Sequence, residues 1–111
     1  MILQILITQY NETDDIIRPL LESIELQQGI DLKKDIEVII ANDGSNIKLS
    51  TDLLKSFTYP IQYLEYPHGG LAVCRQHLLE YATSEYIMYC DADDMFLNNL
   101  ALYMIKLIIQ K

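Results

Sequence analysis

The sequence predicts an α/β domain built on a mainly parallel sheet of about four strands, on three observations. Short apolar, β-branched runs alternate with segments of helical periodicity, which is the pattern of βαβ units. Two of the runs, Ile2 to Thr8 and Ile36 to Ala41, are almost continuously apolar rather than alternating, as in parallel strands covered on both faces. Polar residues gather just after the runs: Thr8 and Tyr10 after the first, Asp43 after the second, Asp91 to Asp94 after the last. A parallel sheet brings all those ends to one edge, where open α/β sheets bind their ligands.

The first strand is broken only by Gln4. Tyr10 to Asp15 supply loop and helix-start chemistry, with acidic residues where a helix amino end favours them. Ile16, Leu20 and Ile24 recur every four residues, so a helix is predicted to about Gln28, with Pro19 tolerable only in its first turn and Gly29 as its stop. The second strand ends in Asn42-Asp43-Gly44-Ser45. A short helix near Leu49 to Phe57, a turn at Tyr59-Pro60 and a strand from Ile61 to Glu65 make the third unit, and Pro67-His68-Gly69-Gly70 forms a loop. Leu71, Cys74, Leu78 and Tyr81 share one helical stripe, with Arg75 beside it near the helix's amino end. Tyr86 to Cys90 reads as a buried strand that runs straight into Asp91-Ala92-Asp93-Asp94. Leu97 to Lys111 is the most hydrophobic helix, with Leu100, Met104, Leu107 and Ile108 on one stripe that faces either the core or a membrane surface.

With 111 residues, half of them hydrophobic, one packed domain is expected, and no repeat or low-complexity stretch divides it. The formal net charge of -8 argues against nucleic acid and anionic membrane as direct partners, since both reward basic surfaces. Cys74 and Cys90 have no metal-ligand spacing and read as small buried hydrophobes, in keeping with a reducing compartment. No signal peptide is visible, and the apolar runs are too short to span a bilayer. The expected location is the cytoplasm, with the inner face of a membrane as the alternative.

Three aspartates within four residues repel one another unless a cation or hydrogen-bond donors compensate. Oxygen-only ligands at a strand end suit Mg²⁺ or Mn²⁺, the hard ions used with phosphate substrates. The plain alternative is an acidic loop capping the next helix. No phosphate-cradling glycine loop follows the first strand, so phosphates are not held in the P-loop way, though a metal on the aspartates could still hold a diphosphate. Asp43 is either a turn residue or an acceptor for a base N–H. Tyr10 either packs its loop or offers a face on which a nucleobase stacks. Arg75 either pairs with one of many acids or reaches the aspartates or the nucleotide. His68 and His77 read as a loop residue and a helix-surface residue, since no spacing joins them at a metal.

Taken in order, Thr-x-Tyr-Asn after a strand, Asn-Asp-Gly-Ser after the next, a glycine-containing loop, a helix with Arg-Gln and then Glu-Tyr-Ile-x-Tyr-x-Asp-Ala-Asp-Asp resemble the nucleotide-binding half of family 2 glycosyltransferases of the GT-A fold. The resemblance covers Ile2 to about Ile108. It implies a Rossmann-like three-layer α/β/α sandwich and a nucleotide-diphospho-sugar donor, with UDP-sugars foremost. Thr8 and Tyr10 would line the nucleoside pocket, Asp43 would accept a hydrogen bond from the base, and Arg75 would lie near the nucleotide. Asp91 and Asp93 match the family's Asp-x-Asp pair for Mn²⁺ or Mg²⁺, with Asp93 as direct ligand and Asp91 near the ribose or a metal-bound water. Asp94 matches a frequent third aspartate without an assigned role.

Four positions depart from the usual pattern: Thr8 for proline, Asn42 for aspartate, His68 for asparagine and Gln76 for asparagine. The resemblance also places acceptor contacts and the catalytic base in a second half, so residues 1-111 are expected to be one donor-binding domain that does not turn over alone, the base lying beyond Lys111. The acceptor, whether saccharide, lipid or protein, is left open. Two other classes remain: a noncatalytic nucleotide-binding or assembly module, dimerising through an uncovered sheet edge, and a nucleotidyltransferase, disfavoured because no basic glycine-rich loop follows the first strand.

Overall fold

The computed structural model describes residues 1–110. Four strands, β1 (Leu3–Gln9), β2 (Ile36–Asp43), β3 (Ile61–Tyr66) and β4 (Ile87–Asp91), alternate with four helices, α1 (Asp14–Glu25), α2 (Thr51–Lys55), α3 (Leu71–Tyr81) and α4 (Ala101–Ile109). All neighbouring strands are parallel, in the order β3-β2-β1-β4. The two continuously apolar runs are therefore the central strands, as burial on both faces requires. β4 pairs on one side only and is half-buried, with Tyr89 40% exposed, so the expectation of a buried fourth strand is corrected. Its apolar run reflects one covered face and one covered edge.

Side chains alternate between two apolar layers. Leu3, Ile5 and Ile7 of β1 and Val38 and Ile40 of β2 meet α1, α2 and α4. Leu6, Ile39 and Ala41 point the other way, onto Cys74 and Leu78 of α3. The three-layer sandwich follows, with α3 as the main cover of its second face. Each fully buried Ile or Leu contributes about 1.5–3 kcal/mol, so the central strands dominate stability.

Gln4 is 2% exposed inside this core and fully partnered. Its amide nitrogen donates to Glu37 and Thr83, and its oxygen accepts from the Thr83 and Ser84 backbone N–H groups, both at 2.8 Å. The break in the first apolar run is thus a clamp on the turn that precedes β4.

The helices differ from expectation in three ways. Pro19 is the sixth residue of α1 rather than in its first turn. Pro19 and Asp15, the residue whose carbonyl loses its N–H partner, are both exposed. On α3 only Cys74 and Leu78 of the expected stripe are buried, while Leu71 and Tyr81 at its two ends stay exposed.

α4 begins at Ala101 rather than Leu97, and it buries Leu102 with Ile105 partly covered. The stripe read from the sequence, Leu100, Met104, Leu107 and Ile108, faces outward. Its rotation is set by polar ties: Gln27 accepts from the Leu102 N–H at 3.0 Å, and Lys106 meets Asp35 at 2.9 Å. Burial acts to raise the Asp35 pKa, but Lys106 and the Asp31 N–H outweigh it and hold the carboxyl below its ordinary range. Lys111, the expected end of this helix, lies outside the described residues.

Candidate functional site

The alternation that builds the core also builds the site. Thr8 continues the Leu6 face of β1, Asp43 the Ile39 and Ala41 face of β2, and Asp91 the Ile87 face of β4. All three lie at carboxyl ends on the side covered by α3. Register sets them side by side, with Thr8 opposite both Ala41 and Asp91. A cleft of about 310 Å³ opens there, lined by Thr8, Tyr10, Asp43, Asp91 and Asp93 together with Glu12, His68, Leu71 and Cys74. Five of the six site residues read from the sequence line this one cleft. Arg75, the sixth, stands at its margin, 3.4 Å from Asp91 and 5.7 Å from the Tyr89 ring. That pair is exposed and long, so it adds little stability but places a positive charge beside the aspartates.

Asp43 is 3% exposed. Its two oxygens accept the N–H groups of Gly69 and Gly70 at 2.9 and 3.1 Å, just ahead of the amino end of α3. His68 approaches from the same loop, with Nδ1 3.1 Å from an Asp43 carboxylate oxygen and 3.1 Å from its carbonyl. The imidazole stacks on Tyr10 with ring centroids 4.3 Å apart. Tyr10 is held by Asn11, which donates to the Ser45 hydroxyl and accepts from the Asn46 N–H, so the loops after β1 and β2 are one unit. Asn42, in the place of the usual aspartate, accepts from the Ser45 N–H at 2.8 Å and closes the turn.

Gly44 makes that turn with φ 74°, and a Cβ there would lie 2.6 Å from the His68 backbone nitrogen. Gly44→Ala is expected to cost roughly 2 kcal/mol or more through left-handed strain and displacement of the His68 loop. A urea midpoint lowered at unchanged slope would show it, and an unshifted midpoint would refute the contact.

Asp91, Asp93 and Asp94 can each offer an oxygen within 4.8 Å of the others, and all three are exposed. The Asp91 N–H donates to Asp94 Oδ2 at 2.9 Å, so Asp94 fixes the turn that presents the other two. An all-oxygen donor set of this spread fits a hard divalent cation such as Mg²⁺ or Mn²⁺. Burial pushes the thiols of both Cys74 and Cys90 up to about 11, so each is a neutral apolar filler next to the site rather than a ligand or nucleophile. A larger groove of about 620 Å³ lies between α1 and Met95 to Asn99. It is walled by helix surface and loop, and the carboxyl ends of the strands do not reach it.

Sequence reasoning missed the two contacts of His68. The signal was its place in the glycine loop that returns the chain from β3 to α3, next to the strand end carrying Asp43.

Polar side chains converging at the carboxyl ends of a parallel α/β sheet stand where such sheets bind their ligands. The glycosyl transferase family 2 model matches residues 4–111, and the chain belongs to that family. It is 36% identical over 95 residues to a protein of Escherichia coli strain K12 called uncharacterized glycosyltransferase YibD, covering 83% of this chain and 26% of that protein. It is 34% identical over 113 residues to the teichoic acid poly(glycerol phosphate) polymerase of Staphylococcus epidermidis, covering 98% of this chain and 14% of that one. The chain thus spans about a quarter or less of these relatives. In fold it is similar to S. aureus TarS 1-349 in complex with UDP, with a TM-score of 0.83 at 21% identity over 99% of this chain and 32% of that chain. A mannosyltransferase of Pyrobaculum calidifontis in complex with GDP-Man and Mn²⁺ gives 0.73 at 19% identity over 87% of this chain and 29% of that one. Among the described residues no helix is long and apolar enough to cross a membrane.

Proposed function

We propose that this chain is the donor-binding domain of a glycosyltransferase that takes a nucleotide-diphospho-sugar, a UDP-sugar first, and transfers the sugar to a saccharide, lipid or protein acceptor. The observation that carries the reading is the convergence of Thr8, Tyr10, Asp43, Asp91 and Asp93 on one strand-end cleft. Thr8 lines the nucleoside pocket, Tyr10 offers its face to the base, and Asp43 accepts the base N–H. Asp91 and Asp93 hold Mn²⁺ or Mg²⁺, with Asp93 the direct ligand, and Arg75 adds positive charge beside the diphosphate. A bound divalent ion would supply charge neutralisation for the departing nucleoside diphosphate. The amino end of α3, with no acidic residue in its first turn, favours the same anion. The UDP of TarS and the GDP-Man and Mn²⁺ of the mannosyltransferase are the ligand classes this reading carries over.

Calorimetric titration of UDP and GDP with and without Mn²⁺ tests it. UDP is expected to bind in the presence of Mn²⁺ and to lose at least about tenfold in affinity, 1.4 kcal/mol, without it. Equal binding with and without the metal would count against the aspartate site. A second reading, a noncatalytic assembly module, is favoured by the unpaired edge of β4 and the outward apolar face of α4. It requires a dimer that dissociates on dilution and no response to nucleotide.

A further inference from the structure

The contacts of His68 are those that the proposed reading gives to the nucleobase. Its ring lies against Tyr10 at 4.3 Å with 24° between the planes. Its Nδ1 faces two Asp43 oxygens, both acceptors, so Nδ1 carries the hydrogen and donates. A planar heteroaromatic ring with one face on a tyrosine and a ring N–H at a buried carboxylate is a small copy of a bound base. We infer that His68 holds the base's place in the free protein, and that donor binding exchanges the imidazole for a base with a ring N–H. The inference rests on the donor-binding reading above.

The imidazole takes the two places a base would use, a face of Tyr10 and the Oδ2 site that the Gly70 N–H leaves open. Oδ1 takes the Gly69 N–H, so one Oδ1 site is all that Asp43 keeps free while His68 is in place. The His68 side chain is 54% exposed while that of Asp43 is 5% exposed, so the imidazole can swing into solvent and leave the carboxylate in place. The loop itself stays: Gly44 packs under the His68 backbone, and the two glycine N–H groups remain on Asp43. Exchange also sorts bases by chemistry. Uracil and guanine carry a ring N–H at their pairing edge and can replace Nδ1–H; adenine and cytosine carry none there.

The test is calorimetric titration of UDP with Mn²⁺ into the whole chain and into His68→Ala and His68→Asn, with proton NMR of the Tyr10 and His68 rings in the unsubstituted protein. Losing the competing stack and hydrogen bond is expected to tighten UDP about five- to thirty-fold in both variants, and contacts between the two rings are expected to vanish on saturation with UDP. Unchanged or weaker binding by the variants would overturn the exchange and make His68 a further stacking layer. Persistence of the ring contacts in saturated protein would overturn it without any substitution. If UDP binds none of the three proteins, the donor reading fails and takes this one with it. CDP binding as tightly as UDP removes the ring N–H as the selecting group.

Discussion

Asp43→Ala is expected to lower the thermal midpoint by roughly 10 °C and to abolish UDP binding. The carboxylate is buried at a strand end and collects two backbone N–H groups from the glycine loop plus the imidazole of His68. Removing it strands those donors, at about 1–3 kcal/mol for each that stays buried. Because the loop borders solvent, water recovers part of that, leaving a net loss of about 2 kcal/mol. At about 4–8 °C per kcal/mol for a domain near this size, the midpoint falls as stated. Asp43→Asn should lie between, since an amide keeps one acceptor for a glycine N–H. A circular dichroism melt decides it, and a midpoint within 2–3 °C (about 0.5 kcal/mol) of the parent would show that the glycine loop is held elsewhere.

Asp93→Ala is expected to do the opposite in kind. Affinity for UDP in Mn²⁺ should fall at least about tenfold, to the value seen without metal, while the melting temperature without ligand stays level or rises slightly. Asp93 is exposed and shares a tight space with Asp91 and Asp94, so its loss removes a like-charge contact and no core packing. A melting temperature that drops as far as that of Asp43→Ala would mean that the aspartate turn is structural. Metal-dependent binding that survives would move the ion to other ligands.

The sheet was legible because the central strands of a parallel sheet need apolar residues on both faces, and Ile5, Leu6, Ile7, Val38, Ile39 and Ile40 have no other economical explanation. The converging strand ends were legible for the same reason, since topology alone brings Thr8, Asp43 and Asp91 together. The facing of α4 was not. Its apolar residues run nearly all round, so periodicity could not choose between Leu102 and the Met104 stripe; Gln27 and the Lys106 to Asp35 pair, contributed by the loop after α1 and the approach to β2, make that choice. The pairing of His68 with Asp43 and Tyr10 was hidden because it joins three loops that no local pattern relates. Pro19 misled through a rule about backbone donors that bends where the freed carbonyl can reach water.

The Gln4 clamp bears on how the chain assembles. Gln4 and Thr83 are 79 positions apart, and β4 docks only when that span has closed. Such non-local pairing is slow to form, and it is what sets the strand end carrying Asp91 beside that of β1. A ligand that needs both ends of the span would find its site complete only in the folded domain. Under the proposed reading, nucleotide and metal would bind that folded domain and stabilise it by mass action.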